Sequence, residues 1–402
     1  MRRTIIGLLL VACGIAGSLV VIGSPSRTTP AATFSDSGPE PQLARIFAEI
    51  ENNRLDQALT QTEALLQQYP KFRLGHLIKG DLLLARSRPI STLGNAGGAP
   101  EEKLSDLREE AIARLKAYRE RGAVAHNLPR YLLQLQPDQK YAIVIDTQKA
   151  RLYLYQNDNG RPRFVADYYV SHGKLGAGKM LEGDKKTPTG VYHVTSSLPA
   201  QKLGDLYGVG AYPLNYPNEW DKRQGRKGHG IWLHGTPSDT YSRPPKASDG
   251  CVVLTNTDLD AVAKNLQIGL TPVIISNSVE FLSLDDWQKE RSSLNKKIEE
   301  WRADWESRDV ERYLKHYSKS FQTRDANFAQ FAEQKRKVGS GKEWIKVRIS
   351  NMSVFRNPGK EELVVVTFEQ DYQSNNLSNQ MKKRQYWIRE DGQWKIVYEG
   401  AA

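Results

Sequence analysis

The residues best suited to chemistry in this chain are a histidine and a cysteine that lie 17 residues apart. His234 ends the apolar run 231–233 and precedes Gly235, while Cys251 follows Gly250. A thiol becomes a strong nucleophile when it loses its proton, and a nearby imidazole can take that proton and later return it to a leaving group. The pair therefore predicts acyl transfer, with Cys251 as nucleophile and His234 as its base and acid.

The residues around the cysteine predict a tight turn that exposes main-chain amides. Gly250 lets the backbone turn before the nucleophile, and the amides near Gly250 and Cys251 are candidates for an oxyanion hole. Ser248 belongs to the same short motif as Gly250 and Cys251. Asp249 is interpreted either as a turn residue or as a group that tunes the imidazole of His234. Arg243 is either a clamp for a substrate carboxylate or a solvated loop residue.

Short β-strands must hold these residues at one rim. Runs rich in Val, Ile and Tyr predict strands at 141–145, 151–155, 164–170, 190–195, 230–234, 251–254 and 271–275, with a helix at 257–266. The side chains of His234 and Cys251 share a rim if the strands that carry them are neighbours. His229 should face away from His234, and the stretch 187–190 is predicted first as a turn and second as a wall of the site.

At these residues the chain resembles the L,D-transpeptidase catalytic domain known as the YkuD family. The motif of that family is His-Gly, a loop, and then Ser/Thr-x-Gly-Cys, and the runs 171–174 and 182–192 are similar to its upstream pattern. The resemblance implies a mostly-β domain at 138–277 in which the Gly235 carbonyl orients the imidazole. Many members carry His or Asn before Gly-Cys and Arg two residues after the cysteine. This chain has Asp249 and Val253 there, so donor and acceptor specificity stays open.

Helical periodicity precedes the β-rich part. Apolar residues recur at helical spacing over 42–86, and a charged helix with Leu104, Leu107, Ala111 and Leu115 on one face follows. This pattern predicts a helical, tetratricopeptide-like region at 36–137. Because one such repeat cannot bury its own face, we expect it to pack on the rest of the chain or in a homodimer.

The last third of the chain predicts an α+β domain. An amphipathic helix with Leu294, Ile298, Trp301 and Trp305 precedes strands at 345–354, 362–371, 385–389 and 394–399, with a hairpin turn at Asp391-Gly392. This order resembles the cone of the nuclear-transport-factor-2-like fold, at 284–400. The predicted fold class is therefore multidomain α+β.

The amino terminus predicts export. Arg2 and Arg3 precede an uncharged apolar run at 5–22, so we interpret 1–35 as a signal anchor and tether that holds the protein in the inner membrane, on the periplasmic side of a bacterial cell envelope. A cleaved export signal and a lipoprotein signal at Cys13 are the alternatives. Two cysteines exclude a disulfide scaffold and a Cys-rich zinc site, and we expect no metal and no other cofactor. The net charge of +11 then indicates the anionic envelope as partner and not nucleic acid.

The order of the three regions resembles the L,D-carboxypeptidases that shape curved or helical cells. The resemblance implies that Cys251 attacks the L-centre carbonyl of diaminopimelate in a peptidoglycan stem tetrapeptide, releases D-Ala and forms a thioester. Transfer to an amine, the L,D-transpeptidase reaction, is the preferred interpretation. Transfer to water, which trims the stem to a tripeptide, is the alternative, and a non-catalytic wall-binding scaffold is the third.

Overall fold

A computed structural model describes residues 38–95 and 97–402 of the chain. The predicted export segment at 1–35, with Cys13, lies outside this part. Within the described residues, no helix is both long enough and apolar enough to cross a membrane.

The first described region is helical, as the apolar periodicity predicts. Its helices are α1 (Glu40–Glu51), α2 (Leu55–Gln68), α3 (Arg73–Leu84) and α4 (Glu101–His126). Leu43, Leu65 and Ile78 lie in their shared core, and α4 contributes Ala111 to it. The helix α4 thus covers apolar surface that α1 to α3 could not bury alone. The tetratricopeptide-like repeat and the homodimer stay predictions.

After α4 the chain forms strands before residue 137, inside the range predicted to be helical. Strand β1 (Leu128–Pro129) is followed by β2 (Leu132–Gln134), which joins the sheet of the carboxy-terminal domain. Leu132 and Leu133 are fully buried there. A strand this short, paired with a distant part of the chain, leaves no local periodicity from which it could be predicted.

The β-rich domain that follows contains two main sheets. Its elements are β3 (Tyr141–Asp146), β4 (Arg151–Asp158), β5 (Arg161–Tyr169), β6 (His172–Gly173), β7 (Gly190–His193), β8 (Leu198–Pro199), β9 (Gly210–Pro213), α5 (Glu219–Arg223), β10 (Trp232–His234), β11 (Lys246–Ser248), β12 (Val252–Val253), α6 (Asn256–Ala263), β13 (Pro272–Ser276) and β14 (Phe281–Leu282). The sheets β5-β4-β3-β13-β7 and β12-β10-β9-β8 contribute to one apolar core. The strands predicted from composition are present. Those not predicted, such as β6, β8, β9 and β11, are two to four residues long.

The carboxy-terminal domain is α+β, as predicted. It consists of α7 (Leu284–Glu306), α8 (Val310–Leu314), β15 (Tyr317–Gln322), α9 (Phe328–Ser340), β16 (Ile345–Asn357), β17 (Leu363–Ser374), β18 (Leu377–Glu390) and β19 (Gln393–Ala401). The sheet runs in the order β15-β19-β18-β17-β16-β2, and Trp287 and Trp387 are buried in its core. The turn at Asp391-Gly392 joins β18 to β19 with positive φ at both residues. Helix α9 was not predicted, although the capping box formed by Asn327 and Gln330 marks its start.

Candidate active site

Neighbouring strands carry the candidate base and nucleophile. Strands β10 and β12 pair in parallel, with His234 opposite Val253. Cys251 lies directly before β12 and two residues before Val253. Since paired residues of parallel strands point to the same face, and residues two apart do so as well, the imidazole and the thiol belong to one face of this sheet.

His234 is buried and held in a single orientation. Its side chain is packed edge-on against the ring of Tyr207, at a centroid distance of 5.1 Å. Nδ1 lies 2.7 Å from the Gly235 carbonyl oxygen, which can only accept, so Nδ1 carries the proton and Nε2 has a free lone pair. Burial lowers the pKa of His234 to about 4, against the hydrogen bond to Gly235, and the charge of Arg243 lowers it further. At neutral pH the residue is an uncharged imidazole that can accept a proton.

Cys251 is a free, half-buried cysteine. Burial raises its pKa, against the opposing effects of the Trp232 amide and the Arg243 guanidinium. Sγ donates to the Gly230 carbonyl oxygen at 3.3 Å, and within residues 38–95 and 97–402 no hydrogen bond joins it to His234. The resting pair is therefore a thiol and a neutral imidazole.

Ser248 and Gly250 shape the loop that presents the thiol. Ser248 Oγ donates to the Cys251 carbonyl oxygen at 2.6 Å and accepts from the Gly250 amide at 3.1 Å. Gly250 has a φ of +135°, and a Cβ there would lie 2.8 Å from the Lys186 carbonyl oxygen. The Gly250 amide is thus engaged by Ser248 and is not free for an oxyanion. The Cys251 amide has no hydrogen-bond partner in the described part of the chain.

Thr187 joins the upstream motif to this loop. The residue is fully buried, its Oγ1 donates to the Gly250 carbonyl oxygen at 2.9 Å, and the same atom accepts from the Gly173 amide at 2.9 Å. The stretch predicted first as a turn therefore braces the nucleophile loop. The only sequence signal for this role was the similarity of the runs 171–174 and 182–192 to the upstream pattern of the YkuD family.

Asn256 is a site residue that was not predicted from the sequence. Its Oδ1 accepts from the amides of Thr236 at 3.1 Å and Val209 at 3.2 Å, while its Nδ2 donates to the Thr236 carbonyl oxygen at 2.9 Å. A Cβ on Gly235 would lie 2.1 Å from Asn256 Oδ1, so this position requires glycine. The amide of Asn256 therefore fixes the chain just after His234, and no sequence pattern links the two residues.

The remaining candidates lie at the rim. Arg243 is half-buried, donates to the Leu206 carbonyl oxygen at 3.3 Å and forms no ion pair with any described residue. Asp249 is 75% exposed and pairs with Lys174 at 3.3 Å, so its carboxylate contacts that lysine and not His234. His229 is 79% exposed and lies outside β10, so the alternation of side chains along a strand does not apply to it.

Two domain families match this chain in sequence. Residues 140–275 match the L,D-transpeptidase catalytic domain, YkuD, and residues 293–400 match the Cds6 C-terminal NTF2-like domain. The comparison with curated proteins finds no match.

Two bacterial proteins of known structure have a similar architecture. Bd1075 of Bdellovibrio bacteriovorus is 29% identical, with a TM-score of 0.62 over 69% of this chain and 98% of that chain. The helical cell shape determining protein Pgp2 of Campylobacter jejuni is 27% identical, with a TM-score of 0.57 over 67% of this chain and 95% of that chain. A variant of Pgp2 is 25% identical, with a TM-score of 0.58 over 75% of this chain and all of that chain. The chain therefore combines a YkuD L,D-transpeptidase catalytic domain with a carboxy-terminal NTF2-like domain.

Proposed function

We propose that the protein is a cysteine-dependent L,D-transpeptidase that acts on peptidoglycan stem tetrapeptides through a thioester at Cys251. The observation that carries this proposal is the parallel pairing of β10 with β12 inside a YkuD catalytic domain. This pairing puts a neutral imidazole and a free thiol on one face of a sheet, which is the arrangement that cysteine acyl transfer needs.

The proposed acylation step assigns one role each to the imidazole of His234, the thiol of Cys251 and the Cys251 amide. Nε2 of His234 takes the thiol proton as Sγ attacks the L-centre carbonyl carbon of diaminopimelate. The C–N bond to D-Ala then breaks, and the imidazolium returns the proton to the departing amine. The amide of Cys251, which has no hydrogen-bond partner among the described residues, supports the proposal by offering a donor to the developing oxyanion.

The fate of the thioester distinguishes two candidate functions. An amine of a second stem would form a 3-3 crosslink and water would release a tripeptide, and both regenerate the thiol. The cell-shape role stated for Pgp2 favours the L,D-carboxypeptidase as the second candidate, because trimmed stems can no longer donate to such crosslinks. The non-catalytic scaffold is disfavoured, because hydrogen bonds hold both the imidazole of His234 and the loop that presents Cys251.

The substrate class also implies the place of action. Peptidoglycan lies outside the inner membrane, so the protein would work in the bacterial cell envelope. The predicted anchor at 1–35 would keep it there, on the periplasmic side. The guanidinium of Arg243, which has no described carboxylate partner, would bind a carboxylate of the stem peptide.

The test is a product analysis with the full chain and purified disaccharide tetrapeptide, identified by mass. Dimers with 3-3 links indicate the L,D-transpeptidase, and tripeptide alone indicates the L,D-carboxypeptidase. Cys251→Ala is the control, and we expect it to give neither product. Unchanged substrate with the unmodified protein, together with retained binding to cell walls, would sink both enzymatic proposals.

A further inference from the structure

The segment between the candidate base and nucleophile is held from outside the catalytic domain. Tyr241 packs its ring against Tyr69 and Phe72 of the helical region, at centroid distances of 4.8 and 5.2 Å. Lys71 Nζ donates to the Ser238 carbonyl oxygen at 2.6 Å. The turn between α2 and α3 thus contacts this segment directly.

The end of the same segment reaches a buried charge on α4. Ser242 Oγ donates to Glu110 Oε1 at 2.7 Å, and the Tyr169 hydroxyl donates to the Arg243 carbonyl oxygen at 2.9 Å. Arg114 contacts both of these partners. Its Nε lies 2.9 Å from Glu110 Oε1, and its guanidinium lies 3.8 Å from the centroid of the Tyr169 ring. One cation therefore supports both hydrogen bonds that hold residues 242 and 243.

That cation has a fixed position. The side chain of Arg114 is 1% exposed, and Glu40 binds it from α1 at 2.7 Å. Burial acts against the charge, but the carboxylates of Glu40 and Glu110 outweigh burial and raise the pKa of Arg114. A buried charge with these partners cannot move without breaking ion pairs, and the loss of a buried ion pair is strongly destabilising. Arg114 can therefore hold the loop that contains Ser242 and Arg243 in one position.

We propose that Ser242, Glu110 and Tyr169 are positioning residues for Arg243, so that the helical region sets the side of the cleft at which a substrate carboxylate binds. The identity of that carboxylate as part of a stem peptide rests on the proposed function. These contacts lie on the main chain and on Ser242. The Arg243 guanidinium donates to the Leu206 carbonyl oxygen through Nη2 and forms no ion pair with a described residue, so its other N–H groups can bind a carboxylate. Losing one contact would let Arg243 shift and would weaken substrate binding, with nucleophile and base intact.

The test uses the full chain with single hydroxyl deletions. Ser242→Ala removes the contact to Glu110, and Tyr169→Phe removes the contact to the Arg243 carbonyl while keeping its ring under Arg114. Ser238→Ala is the matched control, because Ser238 is exposed in the same segment and its hydroxyl makes no hydrogen bond within the described residues. Circular dichroism melting curves establish that each variant is folded.

The first readout is steady-state kinetics with the tetrapeptide. We expect Ser242→Ala and Tyr169→Phe to raise KM about fivefold, the usual size of one lost hydrogen bond, with kcat changed less than about twofold. In an Arg243→Ala background the same changes should add nothing, because the group they position is gone. An unchanged KM, or full additivity with Arg243→Ala, would overturn the proposal.

The second readout needs no substrate and separates this proposal from the proposed function. The charged groups with the largest effect on the pKa of the Cys251 thiol are Arg243, Asp249 and Lys179, and the neutral imidazole of His234 lies on the same face of the sheet. Arg243→Ala should shift the pH midpoint of Cys251 alkylation by iodoacetamide upward, and Ser242→Ala should shift it in the same direction by less. Ser238→Ala should leave it unchanged. If no variant turns over any peptide, the proposed function fails, and the alkylation midpoints still decide whether Ser242 positions Arg243.

Discussion

The two domains that flank the catalytic domain contact it in different ways. The helical region reaches the segment between His234 and Cys251 through a buried cation and hydrogen bonds. The carboxy-terminal domain contacts α5, where Trp220 stacks on Tyr386 at a centroid distance of 5.3 Å, and it packs Phe355 into a core shared with strand β3. Helix α5 contributes none of the candidate catalytic groups. The difference indicates that the helical contacts serve both stability and the cleft, whereas the carboxy-terminal contacts serve mainly stability.

The largest expected effect comes from removing the buried cation on the helical side. Arg114→Leu should lower the free energy of unfolding by about 3–5 kcal/mol, because two buried carboxylates lose their counter-charge. Urea unfolding followed by circular dichroism measures this change. Arg119→Leu, at an exposed position on the same helix, should cost no more than about 0.5 kcal/mol. Equal effects at the two positions would show that the buried network does not hold the helical region in place.

A smaller effect is expected on the carboxy-terminal side. Trp220→Ala should lower the free energy of unfolding by about 3 kcal/mol, through lost packing and the cavity left behind. The kcat/KM of the folded variant should stay within about twofold, since α5 holds no candidate group of the cleft. Trp344→Ala, which changes a tryptophan that is 42% exposed, is the control for stability. A fall in kcat/KM beyond that of Ser242→Ala would erase the contrast between the two sides.

The pH dependence of activity sharpens the comparison further. Since the pKa of His234 lies at about 4, kcat/KM should be retained above that pH and should fall as His234 becomes protonated below it. Arg243→Ala should move this acid limb upward, because the guanidinium charge lowers the pKa of His234, and Trp220→Ala should leave it in place. A pH profile of kcat/KM measures the limb. A limb near pH 6.5, the ordinary value for histidine, would mean that the imidazole is not buried as described.

The smallest effect is expected at Asp249, which lies on neither flank. Its ion pair with Lys174 is exposed, so Asp249→Asn should change the free energy of unfolding by less than about 0.5 kcal/mol. The acid limb of kcat/KM should not move. A shifted limb would restore the interpretation of Asp249 as a group that tunes His234.

Much of the fold could be predicted because it depends on local sequence patterns. The helices of the first region follow from apolar periodicity, and the turn at Asp391-Gly392 from residues that tolerate positive φ. What could not be predicted depends on distant pairing. Strand β2 finds its partner, β16, in another domain, and its few residues carry no period of their own.

The candidate site divides along the same line. The motif around His234 and Cys251 is compact in sequence, so its residue types could be recognised directly. The hydrogen bonds of Thr187 to Gly250 and of Asn256 to Thr236 join positions that no spacing rule connects. The Gly250 amide was predicted to bind an oxyanion, but it donates its hydrogen bond to Ser248 Oγ instead. This contact could not be predicted from the residue types alone.

A covalent intermediate on Cys251 tests the proposed chemistry most directly. The full chain is mixed briefly with tetrapeptide, quenched in acid, and analysed by intact-protein and peptide mass spectrometry. We expect a mass increase equal to the substrate minus D-Ala, located on the peptide that contains Cys251 and absent in Cys251→Ala. Turnover that persists in Cys251→Ala, or an adduct on any other residue, would contradict thioester catalysis at this site.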